Sequence, residues 1–329
     1  MKSITFSYHR LQVRFFAQAG VSLDAWIGAV LRNNFLKQAA EVIDDQGISL
    51  FQHLNTLPIA ASHPNWQSLQ GGFPKALWFD CRDIPSGNRS RTLYAHQIYS
   101  FTIVLAASIV PFFPQIMEAL DRMCQKGFGH PVVPISLMDV TESDENNQTQ
   151  LCYQPKVGIV RWPLSPIRLS DFCLATDAPS DATIQLDFMT PVNLFRQRVK
   201  KTTELSYQDK LNGFPSFYQF MRSLVYRVST LDLLFGNRPG EGGWSEMEID
   251  QFLQATVEAQ LQQANVRSKK VRGTPKQGRD HLYVMEGYQG QLVWQQVSSL
   301  YLPLLAFGTG LLVGNQVQYG LGAYNVTIL

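Results

Sequence analysis

Cysteine is scarce: four in 329 residues, Cys81, Cys124, Cys152 and Cys173. No two form a CxxC pair, and no histidine pair sits near them at zinc spacing. That pattern excludes a disulfide framework and a zinc finger, and scattered buried thiols in a reducing cytoplasm are expected instead. No metal or cofactor is expected. A surplus of one charge is also missing. The 28 Lys and Arg stand against 26 Asp and Glu, a net charge of +2, so any basic surface must come from local clustering. Long apolar runs are missing too. Residues 102–113 fall short of the roughly 20 needed to span a bilayer and contain Pro111. Residues 287–329 lack Lys, Arg, Asp and Glu, but Gly308, Gly310, Gly314, Gly320 and Gly322 interrupt them. Both stretches read as buried protein rather than membrane spans. The opening MKSITFSYHRLQVRFF alternates and carries charges throughout, unlike a signal peptide.

What is present is a folding chain. Apolar residues make up 45% and charged residues 16%, which excludes a disordered tail, and the length suffices for two domains. Residues 2–16 alternate as a strand. Ser22 is a candidate N-cap for a helix carrying Leu23, Trp26, Ile27, Val30 and Leu31, with Arg32, Asn33 and Lys37 on its polar face. Strands are predicted over 73–81 and 97–107. A helix opening at Pro114 and ending at Gly127 follows, then a strand over 132–140. Residues 141–150, TESDENNQTQ, are the best linker, with an exposed hairpin tip as the alternative.

The second half repeats the order. A strand over 184–189 precedes an amphipathic helix through Phe217, Phe220, Met221, Leu224, Val225, Val228 and Leu231. Ser245 caps a further helix. Residues 281–286 and 291–297 read as a hairpin turning at 287–290, before a short helix stopped by Gly308 and a last strand over 321–329. The reading is an α+β chain of two tandem βαββαβ, ferredoxin-like domains: 1–145 and 151–329. Their sheets are expected to face a shared cleft.

Two basic clusters stand out. Arg196, Arg198, Lys200 and Lys201 follow a Thr-Pro strand end. Arg267, Lys269, Lys270, Arg272, Lys276 and Arg279 form the second, read as a flexible loop because of Gly273, Pro275 and Gly278. Such clusters neutralise phosphates, or they are solvated surface.

Four stretches, in order, resemble the CRISPR-associated endoribonucleases of the RAMP superfamily that process precursor CRISPR RNA. They are SLDAWIGAVLRNNF, IYSFTIVLAASIVPFFPQIMEALDRMCQKGFGH, LDFMTPVNL and the glycine-rich LYLPLLAFGTGLLVGNQVQYGLGAYNV. The resemblance implies CRISPR repeat RNA as partner, other CRISPR effector subunits as further partners, and metal-independent cleavage by 2′-hydroxyl attack. It also implies RNA contact by the segment with Gly308, Gly310, Gly314, Gly320 and Gly322. Glycines allow backbone N–H groups to approach phosphates, although Gly308 equally fits a helix C-cap.

In that family the general base is commonly a histidine shortly after the first helix. His53 and His63 are the candidates here, with a histidine-free Lys/Arg site as the alternative. Lys75, Arg32 and Lys37 are the candidates for stabilising charge on the phosphorane. His9, His96, His130 and His281 rank below them. A non-catalytic RNA-binding subunit of a CRISPR effector complex is the competing reading. A ferredoxin-like small-molecule or protein-interaction domain is the third.

Overall fold

A computed structural model describes residues 3–23, 25–65, 69, 74–84, 92–129, 132–172, 180–194, 214–272 and 284–329. The first half contains β1 (Ser7–Ala17), β2 (Val21–Ser22), α1 (Ile27–Ala39), α2 (Leu50–Asn55), β3 (Leu77–Asp80), β4 (Thr92–Leu93) and β5 (Ile98–Ala106). It continues with α3 (Phe113–Lys126), β6 (Ile135–Ser143), β7 (Thr149–Gln154), β8 (Gly158–Ile159) and β9 (Ile167–Arg168). Strand β1 lies between β5 and β6, and β3 pairs outside β5. The spatial order β3-β5-β1-β6 is that of a ferredoxin-like βαββαβ unit. Alternation along β1 buries Leu11, Val13, Phe15 and Ala17 on one face. Phe35 of α1 reaches that face through Phe79 and Phe101.

The second half contains β10 (Asp181–Val192), α4 (Phe217–Phe235), α5 (Glu246–Leu253), β11 (Gln260–Arg272), β12 (Val284–Ser298), α6 (Leu302–Gly308) and β13 (Tyr324–Ile328). Its sheet runs β11-β12-β10-β13, the same order again. Capping boxes start α4, from Ser216 and Gln219, and α5, from Ser245 and Glu248. Each satisfies two N–H groups that a helix start leaves without partners. The fold class read from the sequence is the fold observed.

Several details differ. Ser22 is not an N-cap: it pairs with Thr92 in the β2-β4 ladder, and α1 starts one turn later, after Trp26. The polar run 141–150 is not a linker. Its tip joins β6 to β7 inside the first sheet, where Asp144 accepts N–H bonds from Asn146 and Gln148. The chain stays with that sheet through β9, which pairs with β1.

The basic stretch is not a flexible loop as far as Arg272. It is β11, an edge strand paired with β12 from Gln260 to Arg272. Nor does the chain turn at 287–290, because β12 runs straight through. Gly287 is needed there because a Cβ would come within 2.7 Å of the Val192 carbonyl oxygen. At Gly290, with φ +128°, a Cβ would come within 2.2 Å of the Asn265 carbonyl oxygen. These glycines mark close backbone approach rather than a hairpin.

The halves meet sheet against helix rather than sheet against sheet. The face of β1 and β3 opposite α1 carries Tyr8 and Trp78. Tyr8 donates to the Phe307 carbonyl of α6 at 2.9 Å, and Arg227 of α4 lies 4.9 Å over the Trp78 ring. Buried apolar residues run through this seam as one continuous core. Among the described residues no helix is long and apolar enough to cross a membrane.

Candidate nucleic-acid interface

The glycine-rich segment after α6 is held mainly by its carbonyls. Trp78 Nε1 donates to Gly310 O at 3.1 Å, Trp26 Nε1 to Tyr319 O at 2.7 Å, and Arg82 Nη1 to Tyr324 O at 3.1 Å. Gly308, Gly310, Gly320 and Gly322 are buried, and Gly314 is half-buried. A Cβ on Gly322, at φ +88°, would come within 2.0 Å of Val313 O, and one on Gly310 within 2.5 Å of the Tyr8 hydroxyl. These glycines allow backbone to pass against side chains of the first half. The half-buried residues of the segment, 309, 314–316 and 318–319, are what reach the surface.

There the structure brings two predicted cations together. α1 approaches the segment closely, since a Cβ on Gly28 would lie 2.0 Å from Tyr319 O. One turn on, the Arg32 guanidinium stacks 5.3 Å from the Tyr319 ring centre, and burial pulls its pKa down. Lys75 enters just before β3. Burial first, and the Arg32 charge second, lower its pKa from the ordinary lysine value. Two cations that repel one another at a half-buried seam form a local positive potential, the kind that draws a phosphate. Lys37 lies exposed further along α1.

His53 stands in a separate arrangement. The capping box of Ser49 and Gln52 starts α2 and sets the His53 ring against Phe112, centroids 4.3 Å apart. His53 Nε2 lies 2.7 Å from Asp44 Oδ2. Asp44 Oδ1 accepts the N–H groups of Gln46 and Ile48, which fixes the carboxylate. The His53 bond, followed by the Ile48 N–H, holds the Asp44 carboxyl below its usual range. In the neutral ring Nε2–H is donated to Asp44, and Nδ1 keeps the lone pair. Among the described residues Nδ1 has no hydrogen-bond partner. His63 is spent on structure: Nδ1 accepts from Asn65 N at 3.1 Å and Nε2 donates to Gly240 O at 3.0 Å, across to the other half. Buried His9 is likewise tied, to Glu142 at 2.7 Å. His96 occupies a turn at φ 60°.

On β11, Arg267 and Lys269 share the sheet face away from the helices, while Lys270 lies 3.8 Å from Glu286 on β12. Arg196, Arg198, Lys200, Lys201, Lys276 and Arg279 lie outside the described residues, as do His130, His281 and the Arg272 side chain. Sequence reading missed Asp44, Tyr319 and Arg82. Asp44 carried a faint signal, since an Asp before a Gln-Gly turn is a common turn-former. Tyr319 and Arg82 act through contacts distant in sequence and carried none. Among the described residues no group of three or more His, Cys, Asp or Glu could hold a metal ion.

Solved structures share this architecture. A Cas6 product complex aligns over 97% of this chain and 100% of its own, with a TM-score of 0.55 and 12% identity. Cas6 from Thermus thermophilus aligns over 98% and 99%, at 0.50 and 11%. A chain of a partial Cas6-RT-Cas1–Cas2 complex covers 99% of this chain with 46% of its own length, at 0.51 and 13%. No protein-family model and no curated protein sequence matches the chain. The chain therefore has the double ferredoxin-like fold of these Cas6 structures.

Proposed function

We propose that the chain binds CRISPR repeat RNA and cuts it without a metal. The observation that carries this reading is the pairing of Arg32 with Lys75 beside Tyr319, at the seam of a fold shared with a Cas6 product complex. In the proposed reaction a 2′-hydroxyl loses its proton and its oxygen attacks the adjacent phosphorus. The 5′-oxygen leaves and takes up a proton, giving a 2′,3′-cyclic phosphate and a 5′-hydroxyl. Arg32 and Lys75 offset the charge that grows on the phosphorane oxygens. For His53 to be the base, the bound RNA must bring the scissile 2′-hydroxyl to His53 Nδ1, with Asp44 holding the other side of the ring, while the phosphate reaches the Arg32–Lys75 pair.

A second reading has its own support. Burial and Arg32 shift Lys75 towards its neutral form, so Lys75 can itself accept the proton in a histidine-free site. Single-turnover cleavage of a repeat RNA decides between the two. With His53 as base, His53→Ala lowers the rate by roughly 10²–10⁴ and leaves RNA affinity nearly unchanged. If His53→Ala cuts at the wild-type rate and Lys75→Met does not, the second reading holds. A deoxy substitution at the scissile nucleotide abolishes cutting under both readings, and a chelator changes neither. If affinity for the repeat is wild-type but no variant or condition yields cutting, the chain is an RNA-binding subunit without catalysis.

A further inference from the structure

The open face of the second sheet holds a concavity of about 430 Å³, lined by side chains that neither the seam nor the His53 arrangement uses. That size suits a small planar ligand. Its floor is strand backbone at the row Phe188↔Gly290↔Val266, whose side chains turn to the helix-packed face, where Phe188 stacks on Phe220. Around this floor the pairing Asp187↔Gln291↔Asn265 sets three polar side chains in one row, and Gln289 and Arg267 pair in the next. Met189, exposed at a bulge in β10, forms an apolar rim. This bulge is the Thr-Pro strand end singled out in the sequence.

The hydrogen-bonding inventory is specific. Both oxygens of Asp187 face only the Gln185 amide, at 3.2 and 3.0 Å, and Asp187 has no ion pair among the described residues. A carboxylate offers several lone-pair sites, so acceptor capacity remains. Gln289 Nε2 donates to Met189 O at 2.7 Å, and its oxygen is buried with no hydrogen-bond partner among the described residues. A buried acceptor without a donor is costly, and a ligand N–H would satisfy it. Arg267 has no carboxylate partner among the described residues.

We propose that this concavity receives a single unpaired guanine of the bound RNA. The inference rests on the RNA-binding reading and adds a base-specific subsite to it. Guanine presents N1–H and the 2-amino group side by side, which matches a carboxylate bidentately. Its O6 and N7 accept from an arginine fork or an amide. Adenine turns a lone pair at N1 towards the carboxylate and is repelled. Met189 gives the base an apolar surface to lie on.

The test is competition against a labelled repeat RNA by oligouridine nonamers with a central guanosine, inosine or adenosine, using the full chain. The guanosine nonamer should compete about tenfold better than the adenosine nonamer, the value of one good bidentate contact. Inosine, lacking the 2-amino group, should fall between. Asp187→Asn keeps the side-chain shape and should compete equally with all three, at the adenosine level. The proposal is overturned if the repeat binds but the nonamers compete alike or not at all. It is also overturned if Asp187→Asn keeps the preference. If the repeat itself does not bind, the RNA-binding reading fails and the subsite with it.

Discussion

His53 and His63 have the same ring and different freedom. Both nitrogens of His63 are used, one on Asn65 and one on Gly240, so the ring cannot take a proton without breaking a bond. His53 keeps Nδ1 open while Asp44 fixes Nε2. In the sequence His53 is the closer positional match and His63 precedes Pro64, a pair that often marks a structural turn, but the partners that tie each ring are not visible locally. Asp44→Asn preserves shape but removes the charge that favours the imidazolium as it forms. It should slow cleavage roughly tenfold with RNA affinity unchanged, a rate-only loss that a merely structural Asp44 would not give. Lys75 makes a different prediction. Its pKa is lowered, so its charge, and the phosphate affinity that depends on it, is lost at lower pH than for an ordinary lysine. As pH rises, repeat-RNA affinity in the wild type should begin to decline at lower pH than an ordinary lysine would give. In Lys75→Arg the decline should move to higher pH; identical profiles would remove Lys75 from the phosphate site.

At the scale of elements, the hydrophobic pattern made most helices and strands legible. In the second sheet, where it failed, glycine and proline were the cause. Gly273, Pro275 and Gly278 suggested a loop starting at Arg267, yet β11 runs on to Arg272, its Val266 and Val271 paired with Gly290 and Met285. Edge strands expose both faces in part, so β11 lacks the clean alternation of β1. The strand form also sorts the basic residues. Arg267 and Lys269 point to the open face, whereas Lys270 and Ser268 are turned to Glu286. Lys269→Ala should weaken RNA binding and lower the salt slope by roughly one unit, for the one phosphate left without its cation. Lys270→Ala should do little, and equal effects from both would show that the strand face does not order the phosphates. Among the glycines, Gly322→Ala is the severe case. It forces a Cβ to within 2.0 Å of Val313 O at φ +88°, and should cost roughly 2 kcal/mol or more in urea unfolding.

At the scale of the molecule, the element order announced two ferredoxin-like halves, but nothing in the sequence announced how they join. The joining groups lie far apart in the chain. Asp232, buried near the end of α4, accepts from Thr5 N at 2.7 Å and Phe6 N at 2.8 Å, which are 227 and 226 residues away. It also accepts from Thr5 Oγ1 at 2.9 Å, and through its other oxygen from Gly243 N at 2.9 Å. Arg82 adds a second tie at the far end of β3, through Asn325 Oδ1 at 2.7 Å and the carbonyl of Tyr324. No local pattern encodes such ties, so a sequence reading expects a cleft where the structure has a packed seam. Because the core is continuous through the seam, the wild type should unfold in urea as one cooperative transition. Asp232→Ala leaves backbone N–H groups of both halves buried without an acceptor. At about 1–3 kcal/mol for each donor so stranded, and allowing for non-additivity, it should cost roughly 3 kcal/mol. Asp232→Asn keeps an oxygen for Thr5 and Phe6 but turns an amide N–H towards the Gly243 N–H, so its midpoint should lie between the other two. If the seam tie is what couples the halves, the alanine variant should also broaden the transition or split it in two, one step for each sheet. A wild-type midpoint and slope in Asp232→Ala would mean that apolar packing alone holds the halves together.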